Sequence, residues 1–308
     1  MKHFINLKDI PSKDLRKIIA DAKKRKNLRK NLSTLEVDNG APLKGKLLIQ
    51  MFEKSSSRTR LSFYLAIKQL GGGTLTLRSN ELHLGQGGES IADTAKILST
   101  YGDGFMLRTD SDKKIENFRD YLTIPIINGL SPSSHPTQVL SDVFTVEEIK
   151  KKPISKLNIC WIGDSNNVLD SLIAASVKFS FKLSIGCPKK FEPSKKIKDW
   201  VKKNNRKIFI YNDSKKAVKG ADVIFSDKVI SLNDKVDKKK KIEQFKKFKI
   251  DKKLMNLSNN AIFLHCLPRG DEVSDEVFLG KKSHVWLQAL NRVHVQKSIL
   301  LYCFGKLR

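Results

Sequence analysis

The stretch from Leu47 to Gly71 reads LLIQMFEKSSSRTRLSFYLAIKQLG, and two periodicities meet inside it. Leu47, Leu48, Ile49, Met51 and Phe52 form a short apolar run of the kind that lies buried in a parallel sheet. From Arg58 onward, Leu61, Phe63, Tyr64, Ala66, Ile67 and Leu70 recur at helical spacing and stop at Gly71, which predicts a helix from Arg58 to Leu70. Between the two lies a knot of serines, a threonine, arginines and a lysine. Such donors at a helix N-terminus, directly after a strand, suit an anion. The first-turn N–H groups lack intrahelical acceptors, the dipole is positive there, and hydroxyls and guanidinium groups match phosphate oxygens. The same residues also serve as ordinary helix caps elsewhere, so the rest of the chain must decide between a phosphorylated ligand and a plain cap.

The strand-then-helix rhythm continues on both sides. Ser12 is expected to cap a helix running to about Lys24, and TLTL after Gly73 reads as a short strand. The glycine-rich segment LHLGQGGES precedes a helix with Ile91, Ala95 and Leu98 on one stripe. Phe105–Leu107 reads as a strand ending at Arg108, and Ile124–Ile127 as another, before NGLSPSSHPTQ. The second half restarts with strands in LNICWIG, KLSIGC, KIFIY, ADVIFSD and AIFLHCLP, with helices over Val168–Val177, up to about Lys203, and over Asn291–Phe304. Alternation of this kind predicts an α/β protein made of two doubly wound parallel-sheet lobes with an interlobe cleft. Glu147–Pro153 (EEIKKKP) is the expected hinge, giving domains 1–148 and 149–308.

A chain of 308 residues is long enough for two buried cores. It carries no apolar run of membrane-spanning length and its first residues lack the apolar core of a secretion signal, so a cytoplasmic protein is expected. The four cysteines, Cys160, Cys187, Cys266 and Cys303, have no metal-ligand spacing, and neither metal nor organic cofactor is expected. A net charge of +27 invites a nucleic-acid-binding reading from a different class. The excess is mainly scattered lysine, its densest run (235–253) reads as the solvated side of a helix, and no zinc-finger, RNA-recognition or basic-zipper pattern accompanies it.

The unusual polar residues share one location. Arg58 and Thr59 follow one predicted strand, Arg108 ends another, and His135 and Gln138 follow a third. In the second half Asp164, Asn166 and Asn167 follow the first strand, Asp227 and Ser231 follow another, and His265, Cys266 and Leu267 the last. All lie at strand carboxyl ends, where open α/β sheets bind ligands, and this favours one composite site over random decoration.

SSSRTR, ESIADTAKIL, HPTQ, GDSNN, HCLP and NRVHVQKSIL, in this order and at these separations, resemble the aspartate and ornithine carbamoyltransferase family across nearly the whole chain, and HCLP resembles its ornithine branch. The resemblance implies a carbamoyl phosphate lobe followed by an amino-acid lobe, a final helix returning to the first lobe, and a homotrimer with sites between subunits. It implies carbamoyl transfer from carbamoyl phosphate to the side-chain amine of L-ornithine, giving citrulline and phosphate in arginine biosynthesis. Ser56, Ser57, Arg58 and Thr59 then hold the phosphate, Arg108 reaches it, and His135 and Gln138 address the carbamoyl oxygen and amide. Cys266, Leu267 and Arg292 form the closing wall, and Asn167, Asp227, Ser231 and Leu232 hold ornithine. Arg58, Thr59, Arg108, His135, Cys266 and Arg292 carry the catalysis in this scheme.

Several positions depart from the family pattern. Ser57 stands for threonine, Val229 for tryptophan, and Ser231-Leu232-Asn233 for Ser-Met-Gly. His83 occupies the position of the glutamine that crosses the subunit boundary, in a loop with extra glycine at Gly87 and Gly88, and Trp286–Leu290 replaces an acidic segment. Putrescine and N-acylated ornithine are the acceptors that keep the chemistry. Putrescine has no carboxylate or α-ammonium for Asn167, Asp227 and Ser231 to hold.

Overall fold

The structure, a computed structural model, describes residues 1–78, 88–204, 208–230 and 237–307. It divides into two compact units, Met1–Phe144 with Leu290–Arg308, and Thr145–Ala289. No helix among the described residues is long and apolar enough to cross a membrane.

The first unit opens with α1 (Ser12–Leu28), β1 (Leu47–Phe52), α2 (Ser57–Gln69), β2 (Gly73–Arg78), α3 (Ile91–Tyr101) and β3 (Gly104–Arg108). It continues with α4 (Asp112–Tyr121), β4 (Ile126–Leu130) and α5 (Pro136–Lys150), whose residues from Thr145 onward belong to the second unit. The four strands are parallel in the order β2-β1-β3-β4. Because β1 lies between β2 and β3, the chain leaves it in one direction and later returns on the other side. This is the topological switch point of a doubly wound sheet. Phe52 pairs with Arg108 and Arg108 with Leu130, so the carboxyl ends of β1, β3 and β4 are level. Under the sheet, Ile49, Met51, Phe105, Leu107 and Ile126 pack on Ala95, Leu98, Ile115 and Phe118 from α3 and α4.

Thr145–Ala289 contains β5 (Asn158–Ile162), α6 (Asn167–Phe179), β6 (Lys182–Gly186), α7 (Lys195–Asn204), β7 (Ile208–Tyr211), α8 (Ser214–Val218) and β8 (Val223–Ser226). α9 (Lys238–Phe245), α10 (Lys252–Met255), β9 (Ile262–His265) and α11 (Asp275–Phe278) complete it, and α12 (Val285–Cys303) carries the chain back into the first unit. Its five parallel strands run β7-β6-β5-β8-β9, which places a second switch point between β5 and β8.

Some boundaries differ from those the sequence suggests. Pro11, not Ser12, is the N-cap of α1, since its carbonyl accepts from Asp14 and Leu15 N–H and no side chain caps the helix. α1 runs on to Leu28. α4 has no counterpart in the sequence reading; its cap is Ser111, which accepts from Lys114 N–H. β4 sits later than Ile124–Ile127 because Phe4 donates to Ile126 O (2.9 Å) and accepts from Asn128 N (2.8 Å), extending pairing into the NGL segment. Glu147–Lys150, read as part of the hinge, form the last turn of α5. In the lysine run, Lys241 is 2% exposed and bonds Asp164 Oδ2 at 2.5 Å, so that helix is not simply solvated.

α12 begins at Val285 and is buried along most of its length, polar residues included: Asn291, Arg292, Gln296, Lys297 and Ser298 are at most 3% exposed. Buried polar groups need partners. Lys26 Nζ donates to Asn291 Oδ1 (2.7 Å), Lys297 Nζ to Asp38 Oδ2 (2.9 Å) and Ser298 Oγ to Asp21 Oδ2 (2.7 Å), which pins α12 to α1 and the segment after it. His294, within this cationic layer, is pushed down to about 3 by burial and by Lys297, Lys26 and Arg29. A histidine whose folded-state pKa is depressed stabilises the fold above the unfolded value of about 6.5 and loses that contribution as pH falls below it. The protein should therefore lose about 2 kcal/mol through His294 between pH 7 and pH 5. Urea midpoints of wild type and His294→Asn at the two pH values check this, and equal pH slopes would refute it.

Candidate active site

At the first switch point the sequence gathers hydroxyl, guanidinium and imidazole groups at neighbouring strand ends. β1 ends at Phe52, and Ser56 caps α2 by accepting from Thr59 N–H at 3.3 Å. Ser57 is the first helical residue, and Arg58 is half-buried beside it. Arg108 ends β3, and its pKa is lowered to about 10, first by burial and then by the charge of Arg58. The Ser131–Ser134 bridge closes the turn after β4 and delivers His135, 5% exposed, to the start of α5. Burial, followed by the charges of Arg292, Arg108 and Arg58, holds His135 well below the usual histidine range. A neutral imidazole surrounded by three guanidinium groups is an arrangement that an arriving dianion stabilises.

Arg292 locks these pieces together from α12. Nη2 donates to Thr59 Oγ1 at 2.8 Å and Nη1 to Gln138 Oε1 at 2.9 Å, while Gln138 Nε2 donates to Asp142 Oδ1 at 2.8 Å. The amide of Gln138 is thereby oriented, with one lone pair of Oε1 remaining. Arg292 belongs to the first unit with Thr59 and Gln138, and Cys266 and Leu267 belong to the second. His83 lies outside the described residues.

At the second switch point Asn166 caps α6, its Oδ1 accepting from Val168 N (3.0 Å) and Leu169 N (3.1 Å). Its Nδ2 donates to Asp227 Oδ2 at 2.9 Å. Asn166 thus bonds Asp227 directly, and Asn167 starts α6 next to it. Asp227, half-buried just after β8, has its pKa raised by lost hydration. His265, Lys228 N–H and Asn166 oppose that shift, and Glu272 adds to it. An under-hydrated carboxylate of this kind favours a bound cation.

Behind it, Leu267 N–H donates to His265 Nδ1 at 2.9 Å, so the ring proton sits on Nε2, 3.1 Å from Glu272 Oε1. Glu272 also accepts from Gly270 N (2.5 Å) and Val229 N (3.4 Å). Burial works to raise its pKa, but the bonds from His265 and Gly270 hold it below the usual carboxylate range. Glu272 thus ties the HCLP turn to the segment leading out of β8. Glu272 stands in the polar RGDE segment after HCLP, yet it is only 8% exposed. The one local signal was the buried His265, which required a partner. Leu267 takes a left-handed φ of 58° within this turn, and Cys266 is buried. Ser231 and Leu232 lie outside the described residues.

One doubly wound sheet gathers guanidinium groups and an imidazole, which suit an anion, and the other carries an under-hydrated carboxylate, which suits a cation. The chain belongs to the aspartate/ornithine carbamoyltransferase family: residues 2–148 match the carbamoyl-P binding domain and residues 155–303 the Asp/Orn binding domain. It is 42% identical to the ornithine carbamoyltransferase of Rhodopseudomonas palustris over 307 residues, 99% of this chain and 97% of that one. Over 306 residues it is 42% identical to that of Brucella suis, covering 98% and 96%. Among solved structures, the ornithine carbamoyltransferase from Pyrococcus furiosus superposes with a TM-score of 0.90 at 36% identity, covering 99% of this chain and 97% of that one. The anabolic enzyme from Campylobacter jejuni gives 0.88 at 36% identity over 100% of both chains.

Proposed function

We propose that this chain transfers the carbamoyl group of carbamoyl phosphate to the side-chain amine of L-ornithine, giving L-citrulline and phosphate, in cytoplasmic arginine biosynthesis. The observation that carries the reading is the bonding of Arg292 to both Thr59 and Gln138 beside a buried His135 that feels three arginines. Ser56, Ser57, Arg58, Thr59 and the α2 N-terminus take the phosphate dianion, with Arg108 reaching it from β3. His135 and Gln138 meet the carbamoyl oxygen and amide. Asp227, with Asn167, Ser231 and Leu232, takes the α-ammonium and carboxylate of ornithine, and Cys266 and Leu267 shape the wall around the reacting amine.

The δ-ammonium of ornithine, with a pKa of about 10.4 by analogy with lysine, first loses a proton, which desolvation favours. Its lone pair attacks the carbamoyl carbon, Arg58, Thr59 and His135 stabilise the oxyanion, and the carbon–oxygen bond to phosphate breaks. The second amine proton leaves with the phosphate. Holding amine and carbonyl in contact contributes up to about 7–11 kcal/mol.

Assembly as a homotrimer is supported by apolar side chains on the first unit. Leu61 and Tyr64 of α2, Leu75 of the edge strand β2, and Ile97 and Tyr101 of α3 are exposed, apolar side chains of the kind that contacts between copies cover. The reading is tested by assaying the protein with carbamoyl phosphate and ornithine, putrescine, acetylornithine or aspartate in turn. Citrulline from ornithine, with no product from the other three, is expected. Turnover of putrescine or acetylornithine instead would overturn the acceptor, and no turnover with any would overturn the activity.

A further inference from the structure

Away from its switch point, the first unit contains a cavity of about 680 Å³ with an excess of positive charge. Lys17, Asp21 and Lys24, on one face of α1, line it with Arg25, the turn at Gly40 and Lys306 from the C-terminal segment. Gly40 is the third residue of a tight turn closed by Ala41 N–H to Asp38 O (3.0 Å); its φ of +80° is the left-handed conformation that glycine supplies in such turns. The turn presents backbone to the cavity with no Cβ in the way.

The acids nearby are already shared among several cations. Asp21 Oδ2 accepts from Arg25 Nε at 2.8 Å and from Ser298 Oγ at 2.7 Å. Asp38 binds Arg29 Nη1 at 2.6 Å, Lys297 Nζ at 2.9 Å and Arg25 Nη1 at 3.5 Å. Arg29 and Lys297 are buried, so water screens them little. Two carboxylates therefore face three enclosed cations, and no carboxylate among the described residues is within ion-pair distance of Lys17, Lys24 or Lys306. The shortage is visible in Lys297, whose pKa is lowered to about 8 by burial and by Arg29 and Arg25 despite its contact with Asp38.

We propose that this cavity binds a small polyvalent anion carrying phosphate groups, held by Lys17, Lys24, Arg25 and Lys306. A concave site backed by enclosed guanidinium groups suits a compact polyphosphate better than the flat or grooved basic face that tracks a nucleic-acid backbone. The site shares no residue with the proposed donor site, so Arg58→Ala weakens anion binding at the latter without touching it.

Inorganic pyrophosphate is therefore titrated calorimetrically into the full-length Arg58→Ala protein, alone and combined with Lys17→Glu, Lys24→Glu and Lys306→Glu. One pyrophosphate per chain is expected, with affinity falling at least about tenfold on charge reversal and weakening as salt rises. The triple variant in the wild-type background should keep its catalytic rate, which shows that it folds. Absence of binding to Arg58→Ala, or binding indifferent to the three lysines, refutes the site. Lysine-dependent binding of a single-stranded oligonucleotide without binding of pyrophosphate would instead make this face a nucleic-acid surface.

Discussion

Arg58→Ala is expected to lower kcat/KM for carbamoyl transfer at least about a thousandfold, the scale on which an arginine stabilises a transferring anionic group. The same variant should melt within a few degrees of wild type. Arg58 lies close enough to Arg108 and His135 to lower both pKa values. Removing it relieves like-charge repulsion in the unliganded protein, so little folding energy depends on it, whereas a bound dianion loses a principal counter-charge. Steady-state rates and melting curves on one preparation separate the two effects. A variant with near-native kcat/KM would remove the phosphate role from this helix N-terminus, and one that unfolds would show the arginine to be structural.

Asp227→Asn should raise the KM for ornithine at least about thirtyfold, since losing one partner of a desolvated ion pair costs about 2–5 kcal/mol. The KM for carbamoyl phosphate should stay within a small factor. Stability should move the other way. Lost hydration raises the pKa of Asp227 in the folded state. A carboxyl with a raised folded pKa contributes stability that is complete below its unfolded pKa of about 3.9 and is lost as pH rises through the folded value. At neutral pH the ionised group is therefore a cost to the fold that asparagine removes, so the variant should resist urea at least as well as wild type. An unchanged ornithine KM would move the ammonium contact to another residue.

Much of the local architecture was legible in the chain because its causes are local. Apolar runs fixed the placement of β1, β5, β6 and β9, and the helical spacing after Arg58 fixed α2, since side-chain period follows from backbone geometry alone. Boundaries slipped where a distant segment intervened. β4 ends late because Phe4, more than a hundred residues earlier in the chain, pairs with it. α12 starts early, and its polar residues lie inside because α1 and Asp38 supply their partners.

Sequence alone determined which residue types stand at strand ends: Arg58, Arg108 and His135 in one half, Asn166, Asn167 and Asp227 in the other. Only the tertiary structure decided which of them meet. Strand order put β1 beside β3 and β5 beside β8, and with them the residues at their ends. It also brought Arg292 to Thr59 across 233 positions of chain, and buried Glu272 against His265. Pairings of that kind depend on closing long loops and on desolvating charges only when a partner is at hand. No window of sequence encodes either condition.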